Sequence, residues 1–150
     1  MMLNDDTRDK LIAAARDAAR NAHAPYSRFG VGAAVLLTDG NVVTGANFEN
    51  ASYGLSLCAE TVALATVSSM GRLADVVAIG VIGGAMDVTG IARGLTPVRP
   101  CGRCRQVINE AAQIGDRDVV VWCGGAEGDA VEHYLLSELL PHAFGPRDLQ

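Results

Sequence analysis

Two short segments constrain this chain more than any other feature: Cys58-Ala59-Glu60 and Pro100-Cys101-Gly102-Arg103-Cys104. Where thiols stay reduced, cysteines serve metal binding, catalysis or core packing before disulfides. A C-x-x-C pair alone is ambiguous, because it fits a redox pair as well as half of a structural zinc site. Each segment stands at the start of an expected helix, where free N–H groups and the partial positive charge of the helix end favour thiolates. Gly102 is expected to let the chain turn tightly enough for Cys101 and Cys104 to converge on one ion. The fourth cysteine, Cys123, follows Val119-Val120-Val121-Trp122 and reads as packed inside a buried strand. If Cys123 cannot reach, three protein ligands remain and a fourth position is left for water, the arrangement of a catalytic zinc rather than a closed structural one. Glu60, two residues past a proposed ligand, can approach the ion from the first helical turn without binding it. A carboxylate so placed is a candidate general base for a metal-bound water.

The rest of the chain supplies a frame for these segments. Leu11, Ala15, Ala18 and Ala22 share one helical face within Thr7 to His23, and Pro25 ends that helix. Phe29 to Leu37 reads as a strand, Asp39-Gly40 as a hairpin turn, and Val42-Val43 as the start of the return strand. Residues 47–57 are irregular. Cys58 to Ser69 reads as a helix buried on most sides, and Val76 to Ile82 as a central strand closed by Gly83-Gly84. A loop over 84–100 follows, then a helix from Arg103 to Ile114 with Val107, Ile108 and Ala111 on one side. Val119 to Cys123 is a further strand, Gly124 to Asp129 a turn, and Val131 to Tyr134 a short strand. Ser137 is expected to cap a brief last helix that Pro141 stops. Without a repeat or linker, residues 1–150 read as one layered α/β domain with a mixed sheet. Whether the two central helices share a face of that sheet is not fixed by periodicity.

Bulk properties exclude some functions. The chain is 49% hydrophobic, enough for a core at 150 residues without disulfide staples. A net charge of −5 argues against a non-specific nucleic-acid binder, which carries a basic face. The start, Met1-Met2-Leu3-Asn4-Asp5-Asp6, lacks the basic and apolar regions of a secretory signal, and no apolar run has the length of a membrane span. The expectation is a cytoplasmic protein with no nucleic-acid or membrane partner.

The paired segments resemble the signature of zinc-dependent deaminases, in which a Cys-x-Glu or His-x-Glu is followed by Pro-Cys-x-x-Cys. The three-cysteine form is similar to the short, homotetrameric cytidine deaminases. Further matches are Ala24-Pro25-Tyr26-Ser27, Phe29-Gly30-Val31-Gly32-Ala33-Ala34, the stretch from Gly45 to Tyr53, and the tail Leu139-Leu140-Pro141-His142-Ala143-Phe144-Gly145. The resemblance runs in order from about residue 24 to 149 and implies a three-layer α/β/α fold with a mixed sheet of about five strands. It implies one Zn²⁺ per subunit on Cys58, Cys101 and Cys104, and Glu60 as the catalytic proton carrier. Phe29, Asn47, Glu49, Ala51, Tyr53 and Phe144 become substrate-binding candidates. Asn47 and Glu49 would hold the ribose hydroxyls, while Tyr53 and Phe144 would be offered to a neighbouring subunit's pocket. The implied reaction is hydrolytic deamination of cytidine and deoxycytidine, in pyrimidine salvage.

One residue departs from the pattern. Many relatives carry Arg directly after the catalytic Glu, and here Thr61 stands there. Three thiolates on Zn²⁺ leave a net negative charge that a nearby cation offsets, so the helix ends, with Arg103 or Arg105, are expected to take that part. His23, His133 and His142 lack ligand spacing and read as surface or helix-end residues. Competing functions are a deaminase of another aminopyrimidine nucleoside, such as a blasticidin-type antibiotic, a nucleic-acid-editing deaminase, and a non-catalytic zinc module. The Phe48-Glu49-Asn50-Ala51-Ser52 segment argues against the first, the charge against the second, and Glu60 against the third.

Overall fold

The computed structural model describes residues 3–150; Met1 and Met2, part of the N-terminal stretch read above, lie outside the described residues. Helix α1 (Asp5–Ala19) leads into a hairpin of β1 (Phe29–Leu37) and β2 (Val42–Ala46). Helix α2 (Ala59–Ser69), strand β3 (Val76–Ala85), helix α3 (Gly102–Ile114) and strand β4 (Val120–Gly125) follow. Strand β5 (Val131–Leu135) and the short α4 (Leu136–Leu139) complete the regular elements before a tail turn at Pro146–Leu149.

The sheet order is β2-β1-β3-β4-β5, with β3 and β4 parallel and the other neighbours antiparallel. The parallel pair is joined through α3, as a parallel connection requires a crossover. Alternation along the inner strands divides the core in two. Ala34 and Leu36 of β1, Ala78 and Ile82 of β3, and Val120 and Trp122 of β4 meet Leu11, Ile12, Ala15 and Ala19 of α1. Ala33, Val35, Ile79, Val81, Val121 and Cys123 point the other way, against Ala63, Leu64 and Val67 of α2 and Ile108 and Ala111 of α3. The expected three layers are present, and α2 and α3 share a face. This brings the two cysteine-bearing helix starts to one end of one layer.

Glycine sets how closely that layer lies on the sheet. A Cβ on Gly45 of β2 would stand 2.6 Å from both Ala59 O and Ala63 N of α2. Gly32 of β1 plays the matching part for α1, since its Cβ would meet Ala15 O at 1.8 Å.

Several boundaries differ from expectation. α1 begins at Asp5, where the Asn4 side chain accepts from Thr7 N–H at 2.9 Å, and stops at Ala19 rather than His23. His23 leaves the helix because its backbone pairs with the segment around Phe48: its N–H donates to Asn47 O, and its carbonyl accepts from Glu49 N–H. Gly83 and Gly84 do not close β3 but lie within it, because the 86–98 loop folds over the strand end. A Cβ on Gly84 would strike Arg93 O at 2.0 Å. Gly124 and Gly125 extend β4 for a similar reason, with Leu95 backbone 2.7 Å from a Cβ at Gly125. α2 buries one face only, leaving Ala65, Thr66, Ser68 and Ser69 exposed. Ser137 does not cap α4 but lies inside it. Its N–H and hydroxyl both donate to the Asp118 carboxylate, and Glu138 accepts from the cap N–H of Leu135.

Candidate metal centre

Cys58 is the N-cap of α2 and Cys101 the N-cap of α3, and Cys104 lies one turn further along α3. The three sulfurs all fall within 4.8 Å of one another, with Cys58 Sγ and Cys101 Sγ 3.7 Å apart. Convergence follows from the helix itself, because an N-cap and the third helical residue lie on the same side of the first turn. Gly102 is not needed for it. This residue is the first of α3, has no left-handed φ, and a Cβ there would meet nothing within 4 Å.

The electrostatics of the two neighbouring thiols Cys58 and Cys104 differ. The Cys58 thiol is held down to about 6, first by hydrogen bonding with Cys104, then, against the opposing effect of burial, by Cys101 and the Arg103 charge. The fully buried Cys104 thiol is raised by its hydrogen bond to Cys58 and by burial. Cys123 lies outside the group. It is buried in β4, and burial pushes its thiol up to about 12. Three soft donors at two helix N-termini fit Zn²⁺, and a tetrahedral ion held by three of them keeps one position open.

Glu60 is 3% exposed, on the first turn of α2. Burial raises its carboxyl to about 7, and the neighbouring Cys58 charge adds to this, opposing the stabilisation from the helix N–H. A carboxyl balanced between its two protonation states near neutrality is suited to carrying protons. Cys58, Cys101 and Glu60 line a cavity of about 270 Å³ with Val31, Asn47, Glu49, Leu57, Val98 and Arg99.

The proposed substrate contacts divide into two groups. Asn47 and Glu49 line the cavity, Asn47 held by β1 and Glu49 by the turn that precedes that strand. Asn47 Oδ1 accepts from Val31 N–H at 2.9 Å, and its Nδ2 donates to Phe29 O at 2.8 Å. Glu49 Oε1 accepts from the N–H groups of Tyr26 and Ser27, and Oε2 accepts a short bond from the Ser27 hydroxyl. These bonds hold the Glu49 carboxyl below the usual carboxylate range, although its partial burial, the largest single influence, pushes the other way. Glu49 also lines a second, more open hollow with Tyr26, Ser27, Tyr53 and Ser56, so it stands at the rim between the two.

The other candidates lie outside the metal cavity. Phe29 lines an adjoining hollow with Gly83, Gly84 and Val98. Ala51 is exposed in the loop before the Tyr53–Leu55 turn. Tyr53 is 73% exposed, its ring 5.5 Å from that of Tyr26. Phe144 is 62% exposed, and its carbonyl is held by Gln106 Nε2 at 2.7 Å and Asn109 Nδ2 at 3.1 Å. Neither aromatic ring closes its own chain's cavity.

Three residues near the sulfurs were missed or misassigned by sequence reasoning. Arg99 lines the cavity beside Cys101, and its guanidinium donates to Glu132 at 2.8 Å and Tyr134 Oη at 3.1 Å, tying the metal-bearing loop to β5. Its place just before Pro100-Cys101 was the available signal. Arg105 makes no bond to sulfur: it donates to Pro100 O at 2.8 Å and Leu139 O at 3.0 Å, whereas Arg103 reaches Ser56 O at 3.4 Å and acts on Cys58 only through its charge. The hydrogen-bonding partner of a ligand sulfur is Thr61, whose Oγ1 is 3.4 Å from Cys104 Sγ.

Three convergent thiols, a buried carboxyl beside them and a cavity opening onto both are the parts of a zinc-dependent hydrolase, set on an α/β/α scaffold. Residues 5–123 match the family model of the cytidine and deoxycytidylate deaminase zinc-binding region. A cytidine deaminase of Halalkalibacterium halodurans is 47% identical over 142 residues, covering 95% of this chain and 97% of the relative. One of Mycobacterium tuberculosis is 42% identical over 138 residues, covering 90% and 87%. The crystal structure of the Burkholderia pseudomallei cytidine deaminase superposes with a TM-score of 0.76 at 41% identity, over 91% of this chain and 98% of that one. The chain belongs to the cytidine and deoxycytidylate deaminase family.

Proposed function

We propose that the protein hydrolyses the 4-amino group of cytidine and deoxycytidine, giving uridine or deoxyuridine and ammonia, with zinc held by Cys58, Cys101 and Cys104. The observation that carries this reading is the burial of Glu60 in the same cavity as the clustered sulfurs. Zinc, when bound, supplies the Lewis acidity that makes a water nucleophilic at neutral pH. Glu60 would take a proton from the attacking water and deliver it to N3 of the pyrimidine, which would make C4 more electrophilic. Once the water oxygen has added to C4, Glu60 would take the remaining proton from that oxygen and pass it to the amino nitrogen, which leaves as ammonia while the C4 carbonyl forms. The burial of Glu60, which raises its carboxyl above the usual carboxylate range, supports both directions of transfer.

Asn47 and Glu49 would orient the sugar. Each already holds its own chain through fixed bonds, which leaves one Asn47 N–H and a remaining carboxylate lone pair for ribose hydroxyls without further ordering. Phe29 and Ala51 would contribute at the cavity margin. Tyr53 and Phe144 would act on a neighbouring subunit's pocket in a homotetramer. Their exposure supports this, as does that of Phe48, Leu55 and the outward Ala65 of α2. The proposed setting is cytoplasmic pyrimidine salvage without nucleic-acid or membrane partners; the −5 charge argues against a non-specific nucleic-acid partner, and among the described residues no helix is long and apolar enough to cross a membrane.

The test is loss of cytidine ultraviolet absorbance with purified protein, alongside metal analysis and light scattering. The expected result is conversion abolished by a strong chelator, one zinc per chain and a four-chain particle. Full zinc occupancy with no conversion of either nucleoside would overturn the assignment.

A further inference from the structure

The hydroxyl of Thr61 has an unusual partner for a helical threonine. In the same helix Thr66 makes the default bond, its Oγ1 donating to Val62 O one turn back at 2.9 Å. Thr61 is the third residue of α2, and the carbonyl four residues back, Leu57 O, lies before the N-cap Cys58 and outside the helix, where it receives Phe48 N–H at 2.9 Å. Thr61 Oγ1 stands instead 3.4 Å from Cys104 Sγ, across the gap between α2 and α3. Cys104 is fully buried, so solvent cannot serve its sulfur. Once Cys104 binds a cation as a thiolate it can only accept, and the proton of this bond must come from Thr61.

We infer that Thr61 is a positioning residue for the metal, donating a hydrogen bond to the buried Cys104 thiolate that fixes the sulfur's direction and withdraws charge from it. The inference deepens the zinc assignment above and rests on it. Neighbouring cations do not duplicate the contact, because the Arg105 guanidinium is engaged by two carbonyls and Arg103 by a third. A bond of this kind lowers the energy of the sulfur donor electrons. It also ties α2, which carries Glu60, to α3, which carries two of the three sulfurs. Partners that orient metal ligands contribute about 10–100-fold in affinity or activity.

The experiment compares Thr61→Val, close in shape but without the hydroxyl, with Thr61→Ser, which keeps it. Each protein is loaded with cobalt(II) for its sulfur-to-metal charge-transfer bands, and with zinc for chelator competition. In Thr61→Val the charge-transfer band should move to lower energy and zinc affinity should fall by about tenfold. Thr61→Ser should match the parent on both. An unmoved band in Thr61→Val, or an equal shift in both variants, overturns the inference. Absence of thiolate charge-transfer intensity in the parent protein would instead overturn the three-cysteine assignment on which it rests.

Discussion

Replacing Gly45 by alanine should disturb the metal centre although Gly45 is neither a proposed metal ligand nor a proposed substrate contact. The added Cβ would stand 2.6 Å from Ala59 O and Ala63 N and 3.1 Å from Ala63 Cα. Carbon contacts settle near 3.5–4.0 Å, so α2 must retreat by about 1 Å. All three atoms belong to helix backbone, leaving no side chain to swing aside. Overpacking of this kind costs about 1–3 kcal/mol, and for a chain of this length each kcal/mol lowers Tm by about 2–4 °C. Because the first turn of α2 carries Glu60 and follows directly on Cys58, a displacement of about 1 Å should lower kcat/KM by about 10²-fold. The control is Gly102→Ala, at the other helix start, where a Cβ meets nothing within 4 Å. That variant should hold zinc normally and gain about 0.4–1 kcal/mol from reduced freedom of the unfolded chain. Differential scanning fluorimetry and steady-state kinetics on both variants decide the matter. Parent-like Tm and kcat/KM in Gly45→Ala would refute the claim that glycine sets the position of α2.

Further outcomes follow from other residues. Cys123→Ala should retain the parent's zinc content in metal analysis, with a modest loss of Tm, since Cys123 packs in the core face of β4 away from the sulfur cluster; loss of zinc would restore it as a ligand. Asp118→Ala should destabilise the chain by about 1 kcal/mol in urea melts, because the start of α4 loses the acceptor for Ser137 N–H. The Asp87 carboxyl is held below the usual carboxylate range by Thr89 and then by the Ile91 N–H, against slight desolvation. Its folded pKa is lowered, so its stabilising effect is present above the ordinary value of about 4 and fades as pH falls through the folded value. The Tm gap between parent and Asp87→Ala should therefore close on acidification below about pH 4.

What the sequence made legible were features with short-range causes. Cys101 and Cys104 could be paired because a C-x-x-C at a helix start is a local property, whereas Cys58, 43 residues before Cys101, joined them through the resemblance to the deaminase signature; the strands were readable from their apolar runs. Long-range packing left weaker traces. Gly83-Gly84 resembles a turn in one dimension and becomes strand interior only because a loop from residues 86–98 lies over it. His23 continues the helical pattern, but a bridge to the distant Phe48 segment withdraws it. Ser137 has cap chemistry, yet Asp118 from before β4 is the group that serves the helix start. Thr61 and Arg105 show the same limit inside the site: charge suggested the arginine as the sulfur's neighbour, whereas packing gave its donors to carbonyls and placed a hydroxyl at Cys104.

The central claim is that Glu60 moves protons beside a metal it does not bind. The most direct measurement is cytidine turnover and zinc content in Glu60→Gln, which keeps the side chain's size and removes its capacity to carry a proton. Full zinc occupancy is expected, with turnover lowered by at least about 10²–10⁴-fold, the scale of general acid–base catalysis. Turnover close to the parent's, or loss of zinc with the substitution, would contradict it.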